Sequence, residues 1–295
     1  MSTKCGVVSI VGKPNEGKST LLNSILGTKL SIITPKPQTT RRKVLGIYTN
    51  NNVQIIFIDT PGIIKPKYEL QKKMMEYVDE ALIDCDLILY LISATNLIEK
   101  GIPDFIIERF NDIKIKKIAV INKIDLLANK KEILPHIAHL DALGIFTEII
   151  PISALYNQNT DKLIDIIANN LPVSEFYYDE DILSTLNERF FVSELIRETI
   201  FEIFDKEIPY STEVQIAEFK ERENSKWYIA ADIIVERESQ KMIILGEDGK
   251  SIKKIGVISR KKIEEHLQQE VFLELFVKVR AKWRNNKSKL KFLGY

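Results

Sequence analysis

Histidine, cysteine and tryptophan are scarce in this 295-residue chain, at three, two and two residues. Cys5 and Cys85 lie far apart, with no CxxC pair and no histidine cluster beside them. That spacing excludes a disulfide framework and a zinc-finger site, and fits two core-type thiols in a reducing cytosol. His136 and His139 share a helix face but have no third ligand nearby, so no metal is expected there. No apolar run approaches the ~20 residues that cross a bilayer. The N-terminus, MSTKCGVVSIVG, lacks the cleavage region of a signal peptide and runs into a glycine-bounded motif instead.

What is present is an ordinary core-forming composition, 45% apolar and 28% charged, on a chain long enough for two domains. The net charge of +1 hides an asymmetry. Residues 246–295 hold 13 Lys+Arg against 6 Asp+Glu, a balance of +7, while the preceding residues hold 29 against 35. Such a basic end either meets a polyanion or is a solvated helical face.

Apolar runs at 6–11, 53–58, 87–92, 117–121 and 148–152 alternate with amphipathic stretches such as 70–83 and 105–110. Short, nearly all-apolar strands between helices predict a mostly parallel sheet covered on both faces. The pattern ends near Asn170. An acidic, aromatic stretch over 171–184 reads as a linker, giving domains at 1–172 and 185–295 with 173–184 between them. Beyond it the spacing predicts a helix over 186–204 and strands over 213–220 and 227–236. Ser239 is expected to cap a short helix over 240–245. A helix over 250–268 and a strand over 271–279 follow, a smaller α+β domain of different build.

The chemistry lies in five short strings. Gly12-Lys13-Pro14-Asn15-Glu16-Gly17-Lys18-Ser19 matches GxxxxGK[ST] between an apolar strand and a helix opening at Lys18. Glycines there let backbone N–H groups converge on phosphates, with Lys18 reaching the terminal ones and Ser19 offering a hydroxyl to Mg²⁺. Asp59-Thr60-Pro61-Gly62 closes the next strand, with Asp59 placed for Mg²⁺ and the Gly62 N–H for the γ-phosphate. Thr40, in the polar segment Pro37-Gln38-Thr39-Thr40-Arg41, is the candidate second Mg²⁺ hydroxyl; its alternative is an ordinary strand-entry residue. Asn122-Lys123-Ile124-Asp125 and Ser153-Ala154 select the base. The Asp125 carboxylate accepts from two guanine N–H donors that adenine lacks, and the Ala154 N–H faces the guanine oxygen. GTP and GDP are therefore the expected nucleotides, with Lys18, Thr40 and Gly62 positioning phosphate. No catalytic side chain is identified.

These strings together resemble the translation-factor-related GTPases, and the C-terminal residues narrow the resemblance to the Era family of ribosome-assembly GTPases. Glu207-Ile208-Pro209-Tyr210-Ser211, then GEDGKSIKKIG over 246–256, then the ending VRAKWRNNKSKLKFLGY carry it, and it spans essentially the whole chain. It implies a type II KH domain after the GTPase domain, binding small-subunit (16S) ribosomal RNA in assembly of the 30S subunit. It also implies a cytoplasmic monomer with a peripheral contact at the inner membrane, and Asn15 as a potassium ligand. A helix–GxxG–helix turn brings backbone close to single-stranded RNA, so Gly246, Gly249, Lys250, Lys253 and Lys254 are candidate RNA contacts. Trp283, set among Arg280, Lys282 and Arg284, joins them as a base-stacking ring, with core packing as its alternative.

Three residues, at two places, depart from the family pattern. The loop's Glu247 and Asp248 are acidic where phosphate would approach, and Glu16 replaces an apolar residue and is expected to point to solvent. Ile63, where some GTPases place a water-orienting glutamine, supplies no hydrogen bond, so unaided turnover should be slow. Rival readings are a nucleotide-sensing adaptor and an ATP-driven RNA chaperone, the second opposed by Asp125.

Overall fold

A computed structural model describes residues 2–295. The chain forms two compact units. The first takes the residues up to Ser31, Thr40–Lys65 and Met74–Thr185; the second takes Ile32–Thr39, Pro66–Lys73 and Leu186–Tyr295.

Up to Asn170 the chain runs β1 (Lys4–Gly12), α1 (Lys18–Leu26), β2 (Val44–Asn50), β3 (Val53–Asp59), α2 (Glu69–Ile83), β4 (Leu87–Ser93), α3 (Ala94–Lys100), α4 (Asp104–Asp112), β5 (Lys116–Asn122), α5 (Leu134–Ala142), β6 (Glu148–Pro151) and α6 (Thr160–Asn170), all in the first unit except the start of α2 up to Lys73. Its six strands lie in the order β2-β3-β1-β4-β5-β6, parallel except for β2, which pairs antiparallel with β3. The parallel strands are largely apolar because both faces are covered; β4 is buried at all seven positions. One core cluster gathers Val78 and Leu82 of α2, Ile106 and Phe110 of α4, and Tyr90 of β4, with Tyr90 edge-on to Phe110 at 5.3 Å between ring centres. The sheet carries the carboxyl ends of β1, β3, β4 and β5 to one edge, where open α/β sheets bind ligands.

The segment after α6 is extended and tied to this unit. Gln54 Nε2 donates to the Tyr178 carbonyl at 2.8 Å, its Oε1 accepts from the Tyr177 N–H at 2.8 Å, and Ser184 Oγ donates to the Leu45 carbonyl at 2.6 Å.

The second unit has α7 (Glu188–Ile203), α8 (Ile208–Ser211), β7 (Glu213–Lys220), β8 (Trp227–Val235), α9 (Glu238–Leu245), α10 (Lys250–Leu267), β9 (Val271–Val279) and α11 (Lys287–Phe292). The sheet order is β7-β8-β9, with β7 antiparallel and β9 parallel to β8. Its separate core packs Val192, Ile196 and Ile200 of α7 and Ile255 and Ile263 of α10 against Ile229, Ala231 and Ile233 of β8. Ser239 is not the cap of α9. The helix starts at Glu238, and Gln240 Oε1 accepts from the N–H groups of Glu236 and Arg237 at 2.9 and 3.1 Å, a tie that fixes the entry two residues earlier. Among the described residues no helix is long and apolar enough to cross a membrane.

Candidate nucleotide site and RNA-facing surface

β1 ends in the glycine-bounded loop and α1 begins at Lys18, with Gly17 at the N-cap in the left-handed region (φ 95°). A side chain at Gly17 is excluded twice: by that φ, and because a Cβ would lie 2.3 Å from Asn122 Nδ2. Lys18 is buried, and its Nζ donates to the carbonyls of Gly12 and Lys13 at 3.3 and 3.0 Å. Burial pushes its pKa down, opposed by the charges of Asp59 and Glu16. Gly62 packs against Pro14, where a Cβ would meet the proline ring at 2.7 Å, and the Ile63 N–H donates to the Gly12 carbonyl at 3.0 Å. The DTPG segment is thus stitched to the phosphate loop. The Ile63 side chain turns into the core, and the Thr60 hydroxyl donates to the Ile10 carbonyl at 2.7 Å.

Asp59 is fully buried. Its Oδ2 accepts from Ser19 Oγ at 2.6 Å and Ser31 Oγ at 3.0 Å, and Ser19 Oγ lies 3.0 Å from Thr40 Oγ1. Its Oδ1 is buried with no hydrogen-bond partner. Burial pushes the Asp59 pKa up, while Lys18 and the three hydroxyls pull it down. A buried carboxylate with an orphaned oxygen between two hydroxyls is a hard-oxygen donor set, and it fits Mg²⁺ held by Asp59, Ser19 and Thr40. Ser31 escaped the sequence reading because no motif contains it.

The base-reading strings meet on the same edge. Asn122 Nδ2 donates to the Glu16 carbonyl at 2.9 Å and its Oδ1 accepts from the Ala154 N–H at 3.0 Å, so one amide joins phosphate loop and base loop. Lys123, in the left-handed region, donates from Nζ to the Asn15 carbonyl at 2.6 Å. Ser153 Oγ donates to Asp125 Oδ1, which holds the carboxylate in place. Glu16 does not face solvent. It is 1% exposed, and its carboxylate accepts from the Ser93 N–H and from Asn96 Nδ2 at the start of α3.

In the second unit α9 and α10 join through Gly246-Glu247-Asp248-Gly249. Gly246 (φ 70°) has no room for a Cβ, which would sit 2.5 Å from that of Ser251; Gly249 (φ 72°) opens onto empty space. Lys250, Lys253 and Lys254 are exposed at the start of α10, and Asp248 faces solvent with its carboxylate 3.7 Å from Lys250 Nζ. Trp283 is not among them. Its ring is 0% exposed and its Nε1–H donates to the Ser211 carbonyl at 3.0 Å. The turn after β9 lays the indole over α8, so it cannot stack on a base. His266 is likewise engaged, 2.9 Å from Glu188 and against the Phe191 ring. Trp227 is half-buried, edge-on to Phe219.

The sequence reading missed an open groove of about 450 Å³ between α10 and β9, lined by Ile252, Gly256, Val257, Arg260, Phe272 and Leu275. Phe272 and Val257 are 52% and 62% exposed, too much for core residues. The period-2 alternation of β9 held the signal: Phe272, Glu274 and Phe276 share the face opposite Val271 and Val277, which are buried.

This is a P-loop GTPase fold carrying a second, KH-type unit. The profile of the 50S ribosome-binding GTPase family matches residues 7–123, and that of the KH domain matches residues 207–284. The chain is 42% identical over 295 residues to GTPase Era of Halothermothrix orenii, covering 100% of this chain and 99% of that one. It is 44% identical over 292 residues to GTPase Era of Geotalea uraniireducens, covering 99% and 98%. A crystal structure of an Aquifex aeolicus Era variant bound to GDP·AlF4⁻ superposes with a TM-score of 0.93 at 40% identity, covering 99% of both chains. So does Era in complex with MgGDPNP and nucleotides 1506–1542 of 16S ribosomal RNA. The chain belongs to the Era family of GTPases, and is a GTP hydrolase.

Proposed function

We propose that this chain binds guanine nucleotide with Mg²⁺ and couples its nucleotide state to small-subunit ribosomal RNA, in assembly of the 30S subunit. Residues 1–172 serve as the GTPase domain, 173–184 as the linker and 185–295 as the RNA-binding domain. Gly12–Gly17 wrap the phosphates, Lys18 neutralises them, Ser19, Thr40 and Asp59 hold Mg²⁺, Gly62 senses the γ-phosphate, and Asn122, Lys123, Asp125, Ser153 and Ala154 read guanine. Water attacks the γ-phosphate in line, and the protein supplies position and charge. Asn15 as a potassium ligand, and a peripheral contact with the inner membrane, are carried by the family resemblance alone.

RNA lies along Gly246, Gly249, Lys250, Lys253 and Lys254 and enters the groove beside Phe272. A positive rim beside an apolar, partly aromatic floor suits single-stranded RNA, whose bases are free to stack. One observation carries the coupling. The loop Ile32–Thr39, which runs directly into Thr40, packs with the second unit. Its Ile33 N–H donates to Glu198 Oε1 at 3.3 Å, and Lys36 Nζ donates to the Phe204 carbonyl at 2.6 Å and pairs with Asp205 at 2.7 Å at the end of α7. Any movement of Thr40 towards Mg²⁺ pulls on that anchor.

The test is RNA affinity of the full chain in two nucleotide states, using a single-stranded RNA with the 16S 3′-terminal sequence. Binding should be tighter with GDPNP than with GDP by on the order of tenfold, the usual scale of coupling between sites. Lys36→Ala should shrink that ratio and leave nucleotide affinity in place. Equal RNA affinity in both states would separate the two activities and end the switch reading.

A further inference from the structure

Glu16 is a charged residue in a loop whose task is to hold phosphate, and the structure buries it there. Its carboxylate has no route to solvent, being 1% exposed. Both oxygens are engaged, one by the Ser93 N–H and the other by Asn96 Nδ2 at 2.9 Å. Its own carbonyl is held by Asn122 Nδ2 at 2.9 Å. The residue therefore has no freedom to swing aside when nucleotide enters. Nor is its charge neutralised by a cation, since both donors are uncharged amide groups. Its field reaches the loop's buried cation: together with Asp59 it acts on the Lys18 ammonium.

We propose that Glu16 is a specificity-determining residue that sets the balance between GTP and GDP, its fixed negative charge weakening the loop's hold on the additional charge of the triphosphate. With Mg²⁺ bound to either, GTP carries one more negative charge than GDP. A fixed charge in a site that excludes water acts on that difference with little screening. The inference rests on reading residues 12–19 as a guanine-nucleotide loop. Its consequence is that this chain favours GTP over GDP less than the same loop with an uncharged residue at 16. The fraction in the triphosphate form then depends more on the supply of GTP.

The charge and the tether are separable. Glu16→Gln keeps the shape and one acceptor but removes the charge; Glu16→Val removes the charge and both hydrogen bonds. Dissociation constants for GDP and GDPNP, measured in Mg²⁺ on the full-length protein, give a ratio that a purely structural role would not move. The expected result is that Glu16→Gln raises the preference for GDPNP over GDP, on the order of tenfold for a unit charge in a partly shielded site. Glu16→Val should raise the ratio too, while weakening both nucleotides through loss of the tether. An unchanged ratio in Glu16→Gln, with both constants moving together or not at all, overturns the proposal and leaves Glu16 as a tether only. If Glu16→Val fails to fold, Glu16→Gln alone decides. Failure of the wild-type chain to bind either nucleotide would instead sink the guanine-nucleotide reading itself.

Discussion

The starts of α1 and α10 look alike on paper and are built in opposite ways. Each is a helix N-terminus entered through a left-handed glycine, Gly17 at φ 95° and Gly249 at φ 72°. Around Gly17 the space is closed: Asn122 sits where a Cβ would go, and Lys18, Asp59 and Glu16 are all buried. Around Gly249 nothing lies within 4 Å of the same atom, and Lys250, Lys253 and Lys254 stand in solvent. A closed cradle of desolvated groups reads one ligand closely, because each charge there acts with little screening. An open, exposed set of cations attracts a polyanion of any sequence and loses its hold as salt rises. The two helix starts thus divide recognition into a discriminating half and a tolerant half.

The largest effect should come from the closed half. Lys18→Ala removes the one buried cation opposite Asp59, leaving a buried carboxylate uncompensated as well as the phosphates unpaired. Breaking such a set costs on the order of 3–5 kcal/mol, so triphosphate affinity should fall by two or more orders of magnitude in a titration of full-length protein. A drop of only a few-fold would mean that the cradle is less closed than its burial implies, and the contrast with α10 would weaken.

Trp283 and Phe272 sharpen the comparison inside the second unit, since one aromatic is hidden and the other shown. Trp283→Ala empties a fully buried site and removes a hydrogen bond to Ser211, and should destabilise this unit by about 3–5 kcal/mol in a denaturant or thermal unfolding measurement. RNA affinity of the protein that remains folded should hardly change. A variant of normal stability that binds RNA poorly would return Trp283 to the binding surface.

How legible these features were in the sequence follows from how they are made. Each of the five nucleotide strings is contiguous, and its work is done by backbone and by side chains at fixed offsets, so the string itself carries the geometry. The β1–α1 junction and the mostly parallel character of the sheet follow from the same reading. Strand β2 was not foreseen: Val44–Asn50 is an edge strand following a polar segment, and its apolar residues are interrupted by Gly46. The groove beside Phe272 lies between α10 and β9, consecutive elements whose packing no motif records, and an exposed aromatic in an alternating strand looks like a core residue until burial is known. Trp283 failed in the opposite direction. Basic neighbours suggested a surface ring, but only tertiary packing over α8 decides where an indole goes. Glu16 failed for a related reason, because the donors that bury it come from Ser93 and Asn96, some 80 residues away.

The smallest effects, and the most diagnostic of the open half, belong to the groove and its rim. If the surface works by tolerant attraction plus stacking, its parts should fail differently. Lys253→Ala and Lys254→Ala each remove one exposed cation, held by no buried partner. Each should weaken RNA binding modestly, equally for all single-stranded sequences, and should lower the slope of log affinity against log salt by about 0.7 for single-stranded RNA. Phe272→Ala removes a half-exposed ring from the groove floor. It should cost about 1–3 kcal/mol of RNA affinity if a base stacks on it, with the salt slope untouched, because stacking releases no counterions. Measured on the full-length protein at three or four salt concentrations, the two kinds of variant should give lines that differ in slope for lysine and in offset for phenylalanine. A Phe272→Ala line that overlies the wild type would leave the groove without a role in RNA binding. Lysine variants that shift the line without changing its slope would mean that these cations do not touch phosphate, and that the electrostatic half of the comparison lies elsewhere on the basic C-terminal region.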